Sequence, residues 1–430
     1  MRIRLTFAAA GLIAVNLPAQ GRLQRPMTFE DFAAVRNVGD PQVSPDGRWV
    51  LYSVRTTDVN ANKRTTVTIL APVSGVTIKE AANSGVRAGQ FPNATTNATE
   101  ARWSPDGRRV AYVSGGQLWI ADPNGGNSRQ ISNVSAGASG PVWSPTGDRI
   151  AFVSGVYPDC DGDACNVERA KAADTGKVKA HVTDNLLYRH WTEWTPETRS
   201  HLFVVASNGT GLVDVTSRVK YDVPPGPFGG SEGYGFSPDG RELAYTAKDQ
   251  GREDAWSTDL NLYVVPVTGG PATAITSANR GADQNPVYSP DGRTILYGSQ
   301  ARAGFESDRF RLMAYDRASR TSRELLPNWD RNADSYAFSP SGDVIYLNTV
   351  DASRNKLYRI SRTASGWSAT PQLLTSGGNN FSPSISADGK TIAWLQDATE
   401  RPAEVFIGTL GARGLTDVRR LTHENDPLIA

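Results

Sequence analysis

Residues 226–240 read GPFGGSEGYGFSPDG, and two patterns overlap in them. Gly229 to Gly233 match G-x-S-x-G, the elbow that presents a nucleophilic serine (here Ser231) in α/β-hydrolases. Residues 236–240, FSPDG, instead look like a tight turn. Proline presets φ early in such a turn, and glycine takes the left-handed conformation that ends it. An elbow needs a strand before it and a helix after it. The segment YGFSPDGRELAY gives strand, turn and strand. The turn reading prevails, and no catalytic residue is assigned.

The same turn recurs along the chain. It appears as VSPDGRWVLYSV at Ser44, WSPDGRRVAYVS at Ser104, WSPTGDRIAFVS at Ser144 and FSPDGRELAYTA at Ser237. It returns as YSPDGRTILYGS at Ser289, FSPSGDVIYLNT at Ser339 and ISADGKTIAWLQ at Ser386. The spacings between these serines are 60, 40, 93, 52, 50 and 47 residues. An apolar residue precedes each turn and an alternating strand follows it, so each is a hairpin. Second hairpins follow in QLWIADPNGGNSRQIS, NLYVVPVTGGPATAIT and HLFVVASNGTGLVDVT. Two hairpins make a four-stranded sheet that cannot bury both faces alone, and radial stacking solves this. The expectation is an all-β chain: a seven-bladed β-propeller of four-stranded antiparallel blades over residues 27–430, with one mixed insertion in the third blade.

That insertion accounts for the long gap and runs from about 157 to 199. It contains KAHVTDNLLYRHWTEWTPETR, in which Leu187, Trp191 and Trp194 have the spacing of one helix face. Aromatic residues on a long loop of a rigid scaffold point to binding. The insertion also carries Cys160 and Cys165, which suit a small-loop disulfide in an exported protein. Asp159, Asp161 and Asp163 alternate as in a calcium loop, but Ala170 stands where the bidentate acid belongs, so no metal site is assigned.

The 430 residues carry a formal net charge of +1, which gives no electrostatic case for nucleic acid or an anionic membrane. The N-terminus, with Arg2 and Arg4 before an apolar run from Leu5 to Leu17 and a small residue at Ala19, is laid out as a signal peptide over 1–19. It is too short to span a membrane, so no span is expected after cleavage, and the product is periplasmic or secreted. Histidines number four, His181, His190, His201 and His423, with no zinc-motif spacing, and no cofactor is expected.

Several stretches together resemble the prolyl oligopeptidase family of serine peptidases, especially its acylaminoacyl-peptidase and dipeptidyl-peptidase-like exported bacterial members. They are MTFEDFAAVRNVGDPQVSPDGRWVLY, the VYPDC…CN segment, LLYRHWTEW…RSHLFVV, PPGPFGGSEGYGFSPDG and the closing LTHEND. The resemblance implies a propeller that gates a C-terminal α/β-hydrolase domain carrying the catalytic triad. No position here matches that triad, because the sequence stops at RRLTHENDPLIA, where the family's propeller ends. It also implies peptide substrates whose amino group is held by propeller carboxylates. Glu193 and Glu232 are the candidates, with Tyr188, Arg189, Trp191 and Trp194 around them and Arg189 orienting one acid. The SPDG turn is shared with TolB-like propellers, so the alternative is a stand-alone protein-binding module. Oligomeric state is not legible.

Overall fold

The computed structural model describes residues 25–73, 89–93, 95–184 and 186–429. The segment read as an export signal lies outside them. Within them, each recurring turn reverses the chain between two antiparallel strands. In blade 4, Tyr234–Phe236 pairs with Glu242–Ala247, which pairs with Asn261–Pro266 and then Thr273–Ala274. The other six blades repeat that sequence-ordered meander, and blade 6 splits its outer strand in two. Second strands are buried on both faces, as at Leu243, Ala244 and Tyr245, each fully buried. Outer strands shrink to two residues in blades 2, 3 and 4, because solvent hydrates their free edges.

The turns explain why the motif repeats. Ser237 Oγ donates to Asp239 Oδ1 at 2.6 Å and accepts the Glu242 N–H at 3.2 Å, so the buried serine closes the hairpin. Hydroxyl bonds from the turn serines hold the Asp239, Asp291 and Asp388 carboxyls below the ordinary range. In blades 3 and 6, Thr or Ser replaces that aspartate, and an Asp two residues later takes over. Thr146 Oγ1 and Ser144 Oγ both donate to Asp148, at 2.5 and 3.0 Å. Ser341 and Ser339 likewise donate to Asp343. The glycines also serve packing between blades: a Cβ at Gly342 or Gly389 would sit 3.4 Å from the proline of the preceding blade's turn, Pro290 or Pro340. Both have positive φ, 74° and 69°, which disfavours other residues there.

Blade 1 (from Asn37–Val43) and blade 7 (Asn379–Ile385 to Gly414–Arg420) share no strand. Side chains close the ring instead. Asn425 accepts the Arg36 N–H at 2.9 Å and donates to the Arg36 carbonyl at 3.0 Å, imitating a strand pair. Tyr52 Oη donates to Glu424 at 2.9 Å, and Arg36 pairs with Glu424 at 2.9 Å. Beneath them lies Glu404, fully buried. Its carboxylate accepts from Thr422 Oγ1 at 2.5 Å, from the N–H groups of Glu424 and Asn425 at 3.2 and 2.9 Å, and from the Asn425 amide at 3.3 Å. The LTHEND stretch is therefore the clasp of the ring.

In a sequence-ordered meander the serine turns all lie on one side of the propeller. The links between second and third strands, and those between blades, lie on the other. Blade 3's insertion leaves after Arg149–Val156 and returns at Arg199–Ala206, so it belongs to that second side. It holds helix Asp163–Thr175 and a hairpin of Arg189–His190 with Glu193–Trp194. The helical face expected for Leu187, Trp191 and Trp194 is thus corrected. The chain reverses at Trp191, whose φ is +48°, a tight-turn conformation that breaks the helical repeat.

Candidate functional site

The insertion hairpin and the Gly-rich loop before blade 4 meet on that second side. In the hairpin, Arg189 lies opposite Trp194 and His190 opposite Glu193. Cross-strand partners share a face, so Arg189 and Glu193 occupy opposite faces. One face is an aromatic stack: His181 lies on Trp194 at 4.5 Å, Tyr188 is 6.0 Å from Trp194, and the Arg189 guanidinium sits over Tyr188 at 5.9 Å. His190 and the turn residue Trp191 pack on Phe228 of the loop, at 5.3 and 5.7 Å. Thr195 braces the hairpin, donating from its hydroxyl to Leu187 O at 2.7 Å.

The loop's glycines answer to crowding. A Cβ at Gly229 would come within 2.5 Å of the Pro225 carbonyl, and one at Gly233 within 2.9 Å of Pro224. Ser231 opens a short 3-10 turn, Ser231–Gly233, which runs into the first strand of blade 4. The G-x-S-x-G match is a compact loop, and its serine lacks the helix that an elbow requires.

Glu193 and Glu232 are both exposed, and neither forms an ion pair among the described residues. Arg189, expected to orient one of them, forms no ion pair among the described residues, and its guanidinium sits over the Tyr188 ring. Beside Glu232 lies Tyr234, 3% exposed, whose hydroxyl donates to the Gly140 carbonyl of blade 3. Burial raises the Tyr234 pKa, and the charges of Glu100 and Glu232 raise it further while Arg102 opposes them. Glu100, in blade 2, accepts the Gly140 N–H at 2.5 Å. Three consecutive blades are thus tied together beside Glu232.

Glu100 escaped the sequence reading, yet a signal existed. It stands four residues before its turn serine, as do Asp40, Gly140, Asn285 and Ser382, and all five have φ between 48° and 64°. Each marks a bulge or register break in a blade's first strand. In blades 4 and 6 a tyrosine follows that position instead. Tyr234 reaches back to Gly140, and Tyr336 donates to the Asn285 carbonyl at 2.6 Å. Of the other candidates, Cys160 and Cys165 are joined in a disulfide. Asp163 accepts from Ser135, and Asp159 faces Arg169 at 3.9 Å. His201 is buried, with Nδ1 2.7 Å from Asp214 and Nε2 3.2 Å from Val219 O, a structural residue of blade 3.

Large apolar side chains are exposed unevenly. Among the described residues, all of them but Leu212, Leu373 and Val418 lie on or beside segments of the insertion side. They include Phe29 and Phe32 before blade 1, Trp191 (75% exposed), Phe228 (71%) and Trp256 (67%).

No family model matches the chain. It is 31% identical over 353 residues to dipeptidyl-peptidase 5 of Porphyromonas gingivalis, covering 78% of this chain and 48% of that protein. It is 28% identical over 389 residues to dipeptidyl-peptidase 5 of Trichophyton equinum, covering 84% and 50%. The chain spans about half the length of the curated relatives it matches. Among solved structures, the acylaminoacyl peptidase of Pyrococcus horikoshii superposes with a TM-score of 0.64 at 14% identity, covering 92% of this chain and 54% of that one. The β-propeller domain of the Trilobed protease from Pyrococcus furiosus gives 0.59 at 15% identity, covering 93% and 99%. By sequence this chain is similar to the dipeptidyl-peptidase 5 proteins over about half their length, and its seven-bladed β-propeller fold superposes on the acylaminoacyl peptidase of Pyrococcus horikoshii and on the propeller domain of the Trilobed protease.

Proposed function

We propose that this chain is the non-catalytic propeller of an exported serine peptidase that releases short peptides, gating and selecting substrates for an α/β-hydrolase half. The hydrolase half docks on the insertion side. The observation that carries this reading is the gathering there of exposed aromatic side chains with two unpaired carboxylates, Glu193 and Glu232. A carboxylate without a cationic partner is free to take the ammonium of a peptide N-terminus in a charge-assisted hydrogen bond. Tyr188, Trp191 and Trp194 offer apolar surface to the side chains that follow. The propeller wall admits an extended peptide and excludes folded protein, so selection precedes chemistry.

The test joins this chain to the hydrolase half of the Porphyromonas gingivalis relative. Chromogenic dipeptides with free and with blocked N-termini are then compared. A hydrogen bond to a charged group contributes about 1.5–3 kcal/mol. Glu193→Gln and Glu232→Gln should therefore cut kcat/KM on free-amine substrates by about tenfold or more and leave blocked ones unchanged. Neither exchange should move the melting temperature, since both acids are exposed. Equal losses on both substrate types would remove the amine-binding role. The chain by itself should give no hydrolysis and no fluorophosphonate adduct, and labelling at Ser231 would contradict the non-catalytic assignment.

A further inference from the structure

The insertion helix, Asp163–Thr175, lacks what ordinarily holds a surface helix in place. Its N-cap is Gly162, with no side-chain hydrogen bond into the first turn. Its sequence, DACNVERAKAADT, has no apolar stripe, and its largest apolar residue, Val167, is 47% exposed. Asn166 is its one buried residue. A helix of this length without a buried face is marginal in water.

Its attachments to the rest of blade 3 lie in its first two turns, while at its other end Lys179 Nζ donates to the Ala173 and Asp174 carbonyls at 3.1 and 2.5 Å. The Asn166 side chain accepts the Tyr157 N–H at 2.8 Å. Asp163 Oδ1 accepts from the Ser135 N–H and hydroxyl at 3.1 and 2.7 Å. Arg169 lies over the Tyr157 ring at 5.3 Å. The Cys160–Cys165 disulfide links the segment before the cap to the third helical residue. It does covalently what a capping side chain does by hydrogen bonding, and it sets the adjacent Asn166 against Tyr157. Both cysteines are partly exposed. Below the insertion, an unbroken ladder from Arg149↔Ala206 to Val156↔Arg199 isolates it from the blade.

We propose that Cys160–Cys165 is a redox latch whose reduction unfolds the insertion helix while the seven blades stay folded. The reductant is a dithiol. One of its thiolates attacks a cysteine sulfur, the second resolves the mixed disulfide, and the dithiol leaves as its cyclic disulfide. Two electrons and two protons end on Cys160 and Cys165 as thiols. Release of the helix frees the chain leading into the aromatic hairpin, so order on the insertion side follows the redox state.

Dithiothreitol is the probe, with hydrogen exchange and limited trypsin digestion as readouts on the intact chain. Reduction should lower amide protection across 163–175 by about tenfold or more, the scale set by closing a short loop. Cleavage after Arg169 and Lys171 should accelerate alongside, with blade amides unchanged. The Cys160→Ser/Cys165→Ser variant should show the same pattern without reductant. Unchanged protection in the reduced protein would overturn the latch. So would loss of blade protection along with the helix, or a disulfide that resists dithiothreitol until the propeller unfolds.

Discussion

Replacing Glu404 with alanine is expected to destabilise the protein by about 3–5 kcal/mol, because several buried hydrogen bonds are lost at once. The carboxylate is fully buried and takes four hydrogen bonds from Thr422, Glu424 and Asn425. Its removal leaves several buried donors without a partner, each costing about 1–3 kcal/mol. The damage should be local in origin. Asn425 holds Arg36 of the first blade, so loss of its support opens the seam between blades 1 and 7. Denaturant melts give the size. Hydrogen exchange gives the place, with amides of Arg36 and Val43 losing protection before those of blades 3 to 5. A variant as stable as the parent would show that the clasp does not close the ring.

Asp283 should behave in the opposite sense. It begins the first strand of blade 5 and is fully buried. Asn279 donates to Oδ1 at 2.8 Å, and Oδ2 has no partner among the described residues. Burial raises its pKa to about 6, while the nearby Ser299, Asn279 and Thr276 side chains and the charge of Arg311 pull the other way. Tyr297 and Tyr336 also face it and stay protonated. The folded carboxyl therefore binds its proton more tightly than the unfolded one, whose pKa is about 3.9. Its contribution is fully present below pH 4 and is lost as pH rises through about 6. Two pKa units correspond to about 3 kcal/mol. Asp283→Asn, which resembles the protonated acid, should raise stability by that order at pH 7.5 and change little at pH 4.5. Thermal melts at the two values check this. An equal loss at both would mean that the site needs the carboxylate itself. The turn aspartates, with lowered pKa values, respond only at more acid pH, where they lose stabilisation as pH falls.

Local chemistry was legible and long-range chemistry was not. The serine turns could be read because Ser, Pro, Asp and Gly each act within five residues, and their repetition fixed seven blades. The insertion was visible as one irregular spacing, and Glu193 and Glu232 as acids outside the blade rhythm. The hairpin was misread because Leu187, Trp191 and Trp194 fit a helical period, while the left-handed turn at Trp191 has no signature comparable to Asn-Gly. Nothing local in the sequence marks Glu404, since its partners at Thr422 to Asn425 lie beyond the next strand and reach blade 1 only through the ring. Nothing local marks Asp283 either, because its burial is a property of the assembled ring. Glu100 was readable in principle, from its fixed offset to the turn serine, once the bulge in first strands is known.

The central claim, that the insertion side receives the catalytic half of a peptidase, is tested most directly by hydrogen exchange. The isolated chain is compared with the same chain joined to the half of the Porphyromonas gingivalis relative that this chain does not match. Protection is expected to appear in Phe29–Ala34, in the hairpin from Tyr188 to Trp194, in the loop from Phe228 to Gly233 and around Trp256. The serine turns on the opposite side should exchange as before. Protection of the turns at Ser44, Ser104 and Ser237 with none on the insertion side, or no change anywhere, would contradict the claim.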